Sequence, residues 1–228
     1  MKLSSDRSFT LHSNEYNEHY HSVKDGAFRE SLYKHIVPAF SLIDQTKKPL
    51  IRVLDICFGL GYNALTTLYY LDQMNFTGRV EIYSVEKDEN LLKSLDLMIY
   101  KEELVRFLPL ISCVAKGKNY HHKNISVEVF RGDATSYLTN TDQQFDIIYQ
   151  DPFSPTKNSE LWSDQHFVNL YRLIGDDGVM TTYSQARGVR ETMKKAGFCV
   201  CEYQAERSIR AGTIASKKPL KDENCLQV

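Results

Sequence analysis

The segment that organises this chain reads Ile51-Arg-Val-Leu-Asp55-Ile-Cys-Phe-Gly59-Leu-Gly61-Tyr-Asn63. Its first half is a short apolar run rich in β-branched residues, which is typical of a buried parallel strand. Its second half is a turn that contains two glycines, and the apolar residues after it recur at helical spacing between Ala64 and Leu71. A strand, a Gly-x-Gly turn and a helix in this order predict the first unit of a nucleotide-binding α/β sheet.

Asp55 bears on which nucleotide this turn would hold. Gly59-Leu-Gly61-Tyr-Asn-Ala64 also satisfies the dinucleotide pattern Gly-x-Gly-x-x-Gly/Ala. A carboxylate four residues before Gly59 would repel a pyrophosphate, whereas it can face a cationic ligand. S-adenosylmethionine carries an ammonium and a sulfonium and no phosphate, so Asp55 favours that cofactor. The alternative is that Asp55 only caps the turn.

Acidic residues also follow the next three predicted strands. The strand predicted over 80–85 ends at Glu86, the strand over 127–130 leads to Asp133, and the strand over 145–149 leads to Asp151. Glu86 can accept hydrogen bonds from both hydroxyls of a ribose, and Asp133 from the amine of adenine; each has a helix N-cap as its alternative. Because the carboxyl ends of parallel strands meet at one edge of a sheet, we expect these acids to lie together.

Asp151 is the candidate catalytic residue. It opens the segment Asp151-Pro-Phe153-Ser-Pro155 after the fourth strand, which we expect beside the first strand, near the methyl group of the cofactor. A carboxylate there can orient the N–H of an acceptor amine and take its proton, although it could instead fix the loop. Phe153 or Trp162 could stack on a flat substrate, and Trp162 has a packing role as its alternative.

The remaining pattern predicts one domain in which strands and helices alternate. Helices are predicted over 27–43, 88–107, 161–174 and 189–196, and an irregular insertion over 108–123. The fifth strand is predicted over 179–183 and the closing strands over 198–203 and 209–215. We therefore expect a mostly parallel, doubly wound α/β sheet with helices on both faces. Residues 1–45 would form a hairpin or lid followed by a helix, 46–216 the Rossmann-like core, and 217–228 a tail. Glu30 on the first helix is either a surface acid or a residue that reaches the cofactor.

Composition limits the class of protein. The 228 residues are 42% hydrophobic and 25% charged, and no apolar run approaches the length of a membrane span. The five cysteines are odd in number and lack a Cys-x-x-Cys pair, which favours reduced thiols, no metal site and a cytoplasmic location. Residues 187–221 contain nine basic and three acidic side chains, which could contact phosphates or form a solvated helix face.

Several motifs together resemble one known family. They are Asp151-Pro-Phe-Ser-Pro-Thr-Lys-Asn-Ser-Glu-Leu-Trp162, Thr182-Tyr183-Ser184, Val189-Arg190, Ala196-Gly-Phe198, Phe58-Gly59-Leu-Gly61-Tyr-Asn63, and the N-terminal Tyr16, Tyr20, Gly26 and Glu30. Over roughly residues 10–216 the chain is similar to the methyltransferase domain of the bacterial tRNA wobble-uridine enzyme MnmC and its stand-alone relatives, often called MnmD. In this comparison Cys57 stands where a glycine is usual, and Ser208-Ile-Arg-Ala-Gly-Thr-Ile214 replaces a glycine-lysine-arginine-glutamate ending.

The resemblance implies a class I fold, S-adenosyl-L-methionine as cofactor, and methylation of 5-aminomethyl-2-thiouridine to its 5-methylaminomethyl form in tRNA. It implies that Asp151 lies beside methyl donor and acceptor amine. The implied cofactor contacts are Glu30, Asp55, Phe58, Gly59, Gly61, Asn63, Glu86, Asp133 and Asp151. The expected substrate contacts, in the anticodon loop of the tRNA, are Phe153, Pro155, Trp162, Tyr183, Arg187 and Arg190. With no room for a flavin oxidoreductase domain, the chain is expected to act on the free aminomethyl group, directly or after a separate oxidoreductase.

Three other functions fit parts of the sequence. Asp151-Pro-Phe153 resembles the loop of adenine-N6 methyltransferases without its second proline, so another amino-group methyltransferase is the nearest alternative. Gly59-x-Gly61 permits a nicotinamide-dependent oxidoreductase, but no Tyr/Lys or His/Asp hydride-transfer set accompanies it. A non-catalytic binding module is the third, and the presence of Asp151 argues against it.

Overall fold

The computed structural model describes residues 1–43 and 48–228, so the domain boundary expected between residues 45 and 46 lies outside the described residues. Within these ranges two small antiparallel ribbons precede a nine-stranded sheet. The ribbons pair β1 (Lys2–Leu3) with β2 (Phe9–Thr10), and β3 (His12–Ser13) with β4 (Glu18–His19). The sheet contains β5 (Leu50–Ile56), β6 (Arg79–Glu86), β7 (Tyr120–His122), β8 (Ile125–Arg131), β9 (Phe145–Gln150), β10 (Ile174–Thr182), β11 (Cys199–Tyr203), β12 (Gly212–Ser216) and β13 (Cys225–Gln227).

The sheet is parallel at its centre and antiparallel at both sides. Its strand order is β13-β11-β12-β10-β9-β5-β6-β8-β7. Strands β8, β6, β5, β9 and β10 run parallel, which confirms the mostly parallel sheet. The chain leaves β5 towards β6 and later returns to its other side with β9, so the strand order reverses between β5 and β9. Open α/β sheets bind ligands at this point, outside the carboxyl ends of the strands.

Helices cover both faces of the sheet, as predicted. They are α1 (Ala27–Ser31), α2 (Val37–Leu42), α3 (Tyr62–Gln73), α4 (Glu89–Ser94), α5 (Leu108–Ala115), α6 (Ala134–Asn140), α7 (Asp164–Leu173) and α8 (Arg187–Lys195). Buried side chains of α1 to α5 pack with Val53 on one face, and those of α6 to α8 pack with Leu54 on the other. Successive residues of a strand point to opposite faces, so β5 contributes to both cores.

The first helix differs from the single helix predicted over 27–43. Between α1 and α2 the backbone forms a wider, π-helical turn over Leu32–Ile36. In this turn the N–H of Val37 donates a hydrogen bond to the carbonyl oxygen of Leu32. Pro38 explains the widening, because it has no N–H and its ring would collide with the carbonyl of Lys34 in a regular helix. The wider turn carries Lys34 and His35, and both side chains are buried.

Two other helix predictions are wrong in extent. The helix predicted over 88–107 ends at Ser94 and is followed by two 3₁₀ segments. The chain leaves the helix because Tyr100 packs against the loop after β5, where its hydroxyl donates to the Leu60 carbonyl (2.9 Å). The insertion expected to be irregular over 108–123 contains α5 and β7. The helix predicted over 161–174 begins only at Asp164, where the Ser163 side chain caps it by accepting from the His166 N–H.

The C-terminal strand also departs from expectation. Residues 217–228, expected as a tail, include β13, which pairs antiparallel with β11 and brings Cys201 and Cys225 to a Cα–Cα distance of 5.6 Å in a disulfide. The expectation that every thiol is reduced is therefore wrong for this pair. The two cysteines are 24 residues apart. Only the pairing of β11 with β13 brings them into range, and sequence spacing does not encode that pairing.

Candidate functional site

The loop between β5 and α3 is tight because its backbone repeatedly enters the left-handed region. Cys57, Gly59 and Gly61 have φ angles of 72°, 53° and 78°. A Cβ on Gly61 would lie 2.8 Å from Cδ1 of Ile111, so α3 could not start so close to α5 with a larger residue. Cys57 adopts, at some cost in strain, a conformation that glycine would adopt freely.

A cavity of about 530 Å³ opens above this loop, at the carboxyl ends of the central strands. Its volume is in the range of small-molecule and cofactor sites. Most residues predicted for the site line it: Glu30, Phe58, Gly59, Asn63, Glu86, Asp133, Asp151, Phe153 and Tyr183. Asp55 and Gly61 do not line the cavity but lie beneath it, where they hold the loop. The strand-end acids therefore meet at one edge of the sheet, as the parallel order requires.

The cavity is strongly acidic. Among its described lining residues are eight carboxylate side chains and two lysines. The acids are Glu15, Glu18, Glu30, Glu86, Asp88, Asp133, Asp151 and Glu160. This surplus would repel a pyrophosphate and attract a cationic ligand.

Asp55 is fully buried below the floor of the cavity. Its Oδ1 accepts from Nδ2 of Asn63 (3.2 Å) and its Oδ2 from the hydroxyl of Ser84 (3.0 Å). Burial, with a smaller contribution from the charge of Asp151, raises the pKa of Asp55 to about 7. The carboxyl group thus binds a proton far more readily than an exposed aspartate does.

Asp151 is held from two sides. Nδ2 of Asn63 donates to its Oδ2 (2.9 Å), and Nε2 of His35 lies 3.3 Å from its Oδ1. The adjoining loop is fixed by Tyr183, whose hydroxyl donates to the carbonyl of Pro152 (2.9 Å). Burial, assisted by the charge of Asp151, raises the pKa of Tyr183, so the phenol stays a donor. The Asp151 carboxylate is mostly buried but reaches the cavity.

Glu86 and Asp133 stand on the neighbouring strand ends. Glu86 accepts from the N–H of Gly59 (3.0 Å) and of Asp88 (2.9 Å), and its burial raises its pKa. The helix-cap alternative for Glu86 is wrong, because Asp88 caps α4 through the N–H of Leu91. For Asp133 the cap is present: its Oδ1 accepts from the Ser136 N–H (2.8 Å) at the start of α6, while the residue also lines the cavity.

Residues 15–24 form a roof over the cavity. The ring of Tyr16 stacks on Phe153 with centroids 4.4 Å apart, and Glu18 accepts from the N–H and hydroxyl of Ser154. On the opposite side Lys87, which follows β6, pairs with Glu15 (3.0 Å). The roof therefore connects the loop after β9 to the loop after β6.

The roof is joined to α1 by a buried charge network. Lys34 donates to Glu30 (2.8 Å) and to Asp25 (3.1 Å), and the second oxygen of Glu30 accepts from the N–H of Ser22 (2.8 Å). Burial alone would raise the pKa of Glu30, but the hydrogen bond with His21 and the charge of Lys34 outweigh it and lower the pKa to about 2. Glu30 is thus a charged residue at the cavity wall.

The other predicted substrate residues lie away from the cavity. Trp162 lies under the Asp151 loop, and its Nε1 donates to the Phe153 carbonyl (2.8 Å); Pro155 lies further along that loop. Arg187 is exposed and pairs with Glu191, whereas the guanidinium of Arg190 is occupied by Thr213 (3.0 Å) and Glu202 (2.9 Å). Their contact with substrate remains a prediction.

Three further groups at the site carried no clear signal in the sequence. Glu18 and Lys87 belong to none of the motifs that the sequence analysis singled out. His35 lay within a predicted helix without a motif, and Pro38, three residues later, was the only hint of the widened turn.

Comparison with known proteins gives consistent similarities. A family model described as S-adenosyl-L-methionine-dependent methyltransferase matches residues 97–218. The crystal structure of MnmC2 from Aquifex aeolicus is similar with a TM-score of 0.81 and 32% sequence identity, covering 98% of this chain and 72% of that one. An uncharacterized protein of Methanocaldococcus jannaschii is 30% identical over 94% of this chain and 58% of its own length.

A named relative comes from Azoarcus sp. (strain BH72). Its tRNA 5-methylaminomethyl-2-thiouridine biosynthesis bifunctional protein MnmC is 29% identical over 202 residues, which are 83% of this chain and 31% of that protein. The chain thus spans only part of the length of the curated relatives it matches. No helix among the described residues is long and apolar enough to cross a membrane.

Proposed function

Because the chain belongs to the S-adenosyl-L-methionine-dependent methyltransferase family, together with MnmC, we propose that it methylates the exocyclic amine of 5-aminomethyl-2-thiouridine at the wobble position of tRNA. The class I fold predicted from the sequence is confirmed by the same comparisons. The observation that carries the proposal is the placement of Asp151 in an acidic cavity at the point where the strand order reverses.

The residues of the cavity fit this cofactor. Oδ1 of Asn63 is buried and has no hydrogen-bond partner among the described residues, so it offers an acceptor to a donor group of the ligand. Glu86 and Asp133 would hold the ribose and adenine ends, and Glu30 is a charged acid suited to an ammonium. An acidic wall of this kind disfavours the pyrophosphate of a nicotinamide dinucleotide, the competing ligand.

Asp151 would supply the proton chemistry at the acceptor. S-adenosyl-L-methionine, when bound, provides an electrophilic methyl group on a positively charged sulfur. The acceptor nitrogen must present its lone pair, so the amine must be neutral before transfer. After transfer the methylated nitrogen is positively charged and must release a proton. Asp151 orients the N–H and takes that proton, while Asn63 keeps the carboxylate in place.

The tRNA would approach the open side of the cavity with its wobble base turned outward. Single-stranded bases of an anticodon loop can be unstacked and read on their edges. Phe153 and Tyr183 line the cavity and would contact the base. Among the described residues Arg187 pairs only with the exposed Glu191, so it can turn to a phosphate, whereas Arg190 would first have to release Glu202. An enzyme acting on tRNA would work in the cytoplasm.

The proposal is tested with labelled S-adenosylmethionine and tRNA from cells that lack their own methyltransferase. We expect the label in 5-methylaminomethyl-2-thiouridine on nucleoside mass analysis. Asp151→Ala should lower turnover at least about tenfold. Asp142→Asn, a carboxyl-to-amide change at an exposed residue that does not line the cavity, should turn over like the wild type. Failure to label tRNA in spite of S-adenosylhomocysteine binding would exclude tRNA as the acceptor.

The phosphate contact needs a separate test. Arg187→Glu should weaken tRNA binding and reduce its salt dependence, without altering S-adenosylhomocysteine affinity. The matched control is Lys93→Glu, which reverses an exposed charge on α4 that pairs with Glu89. Equal tRNA affinity of the Arg187 variant and the wild type would remove Arg187 from the proposed interface.

A further inference from the structure

We propose that His35 is a positioning residue for Asp151: its Nε2–H holds Oδ1 of the carboxylate, opposite the bond from Asn63 to Oδ2. The inference rests on the proposed function, since it assigns the group that sets the orientation of the proposed catalytic acid. His35 is fully buried, and its two ring nitrogens lie 3.0 Å from the hydroxyl of Thr181 and 3.3 Å from Asp151. No sequence motif marks it.

The surroundings assign the proton on the imidazole. The Asp151 carboxylate can only accept, so Nε2, which faces it, carries the proton, and Nδ1 then accepts from the Thr181 hydroxyl. Nε2 makes no well-aligned hydrogen bond with any described residue, and the group it faces is the Asp151 carboxylate. A buried donor without an aligned partner costs free energy and calls for a functional reason. Catalytic hydrogen bonds are often long before substrate binds and tighten in the complex.

The charged groups around His35 favour this assignment. The Asp151 carboxylate lies 3.3 Å from Nε2 of His35, and Asn63 bridges Asp151 to the buried Asp55. The neighbouring Lys34 points away, to Glu30 and Asp25. His35 therefore supplies the donor on the one side of Asp151 that Asn63 does not reach.

The widened turn ahead of Pro38 provides a separate argument. The π-helical turn Leu32–Ile36 contains both His35, which faces Asp151, and Lys34, which fixes the roof. Such turns are rare and occur often at functional sites. In a regular helix the His35 side chain would point in a different direction relative to the sheet. The π-helical turn is therefore part of what places His35 beside Asp151.

The consequence for the reaction is a carboxylate with a fixed plane. Each of its oxygens has one lone pair engaged, by His35 or by Asn63, and one left for the acceptor N–H. When the proton of the methylated amine passes to Asp151, the Nε2–H bond keeps the other oxygen in place. Without His35 the carboxylate would rotate about its side-chain bonds, and the acceptor would lose its alignment.

The first experiment needs no methyl transfer. The ring-nitrogen NMR shifts of His35, assigned by their loss in His35→Gln, should report the Nε2–H tautomer in the wild-type protein. Asp151→Asn should shift the Nε2 signal, and the control Asp133→Asn should leave it unchanged. An Nδ1–H tautomer, or a signal that does not respond to Asp151→Asn, overturns the inference whatever the enzyme's substrate.

The second experiment separates positioning from packing. His35→Leu should lower kcat about 10- to 100-fold with little change in the KM for S-adenosylmethionine, the loss typical of a misplaced reacting group. His35→Gln, whose amide can place an N–H near the Nε2 position, should recover most of that loss. Equal kcat in wild type and a folded Leu variant, or equal loss in both variants, overturns the inference; a wild type inactive on tRNA refutes the proposed function instead.

Discussion

Replacing Asp55 by asparagine should remove a large part of the pH dependence of stability. The pKa of Asp55 is about 7 in the folded chain against 3.8 for an ordinary aspartate, mainly because the carboxyl is buried. The folded state therefore holds a proton that the unfolded state has released between these pH values. The contribution to stability is fully present below pH 3.8 and is lost as the pH rises through 7.

The magnitude follows from the size of the pKa difference. Each unit corresponds to about 1.36 kcal/mol, so the wild type loses about 4 kcal/mol of unfolding free energy over the whole window, and about 2.5 kcal/mol of it between pH 5 and 8. Asparagine has the same shape and cannot ionise. Its oxygen can accept from Asn63 and its amide can donate to the Ser84 oxygen, because the one Ser84 proton can then bond the main-chain carbonyl of residue 55.

Urea denaturation, followed by the fluorescence of the single tryptophan, Trp162, measures this effect. From pH 5 to pH 8 the wild type should lose about 2.5 kcal/mol more of its unfolding free energy than Asp55→Asn does. The matched control is Asp133→Asn, which makes the same chemical change at an exposed strand end. Parallel curves for the wild type and Asp55→Asn would refute the assignment of the buried proton to Asp55.

Two further predictions concern stability. Gly61→Ala should lower the free energy of unfolding in urea by about 2 to 5 kcal/mol, because Gly61 has a φ of 78° and an added Cβ would collide with Ile111. Gly188→Ala should instead raise it by about 0.5 to 1 kcal/mol, because Gly188 lies within α8 and an added Cβ would have nothing within 4 Å. Similar effects of the two substitutions would show that the packing at Gly61 is not limiting. Glu30, whose pKa is about 2, stabilises the folded state above pH 4.5, and this stabilisation is lost as the pH falls towards 2. Over this range the wild type should therefore lose about 3 kcal/mol of unfolding free energy that Glu30→Gln does not lose. An acid transition unchanged in Glu30→Gln would contradict this.

The local sequence pattern was sufficient to predict those parts of this protein whose structure is determined by residues adjacent in the chain. The apolar run before Asp55, the glycines at 59 and 61 and the helical spacing after them specify strand, turn and helix, because period and turn conformation are properties of a few adjacent residues. The alternation of such units then implies a parallel sheet, and the parallel sheet implies that the four strand-end acids meet at one edge. Those expectations hold in the structure.

The directions of individual side chains were settled only by packing. Asp55 and Asp133 both follow strands, yet Asp55 is buried under the loop and Asp133 is exposed at the cavity rim. Helix propensity could not show that residues 88–107 break, because the break depends on the bond from Tyr100 to Leu60, 40 residues away in the chain.

His35, the roof and the disulfide depend on contacts between distant parts of the chain. Thr181 is 146 residues from His35, and Ser154 is 136 residues from Glu18. Cys201 and Cys225 meet because β13 pairs with β11. Sequence by itself determined the sheet, its glycine turn and the acids at its edge, since these follow from local periodicity. Only the tertiary structure decided which groups hold Asp151, because hydrogen bonds between distant residues form only once the layers have packed.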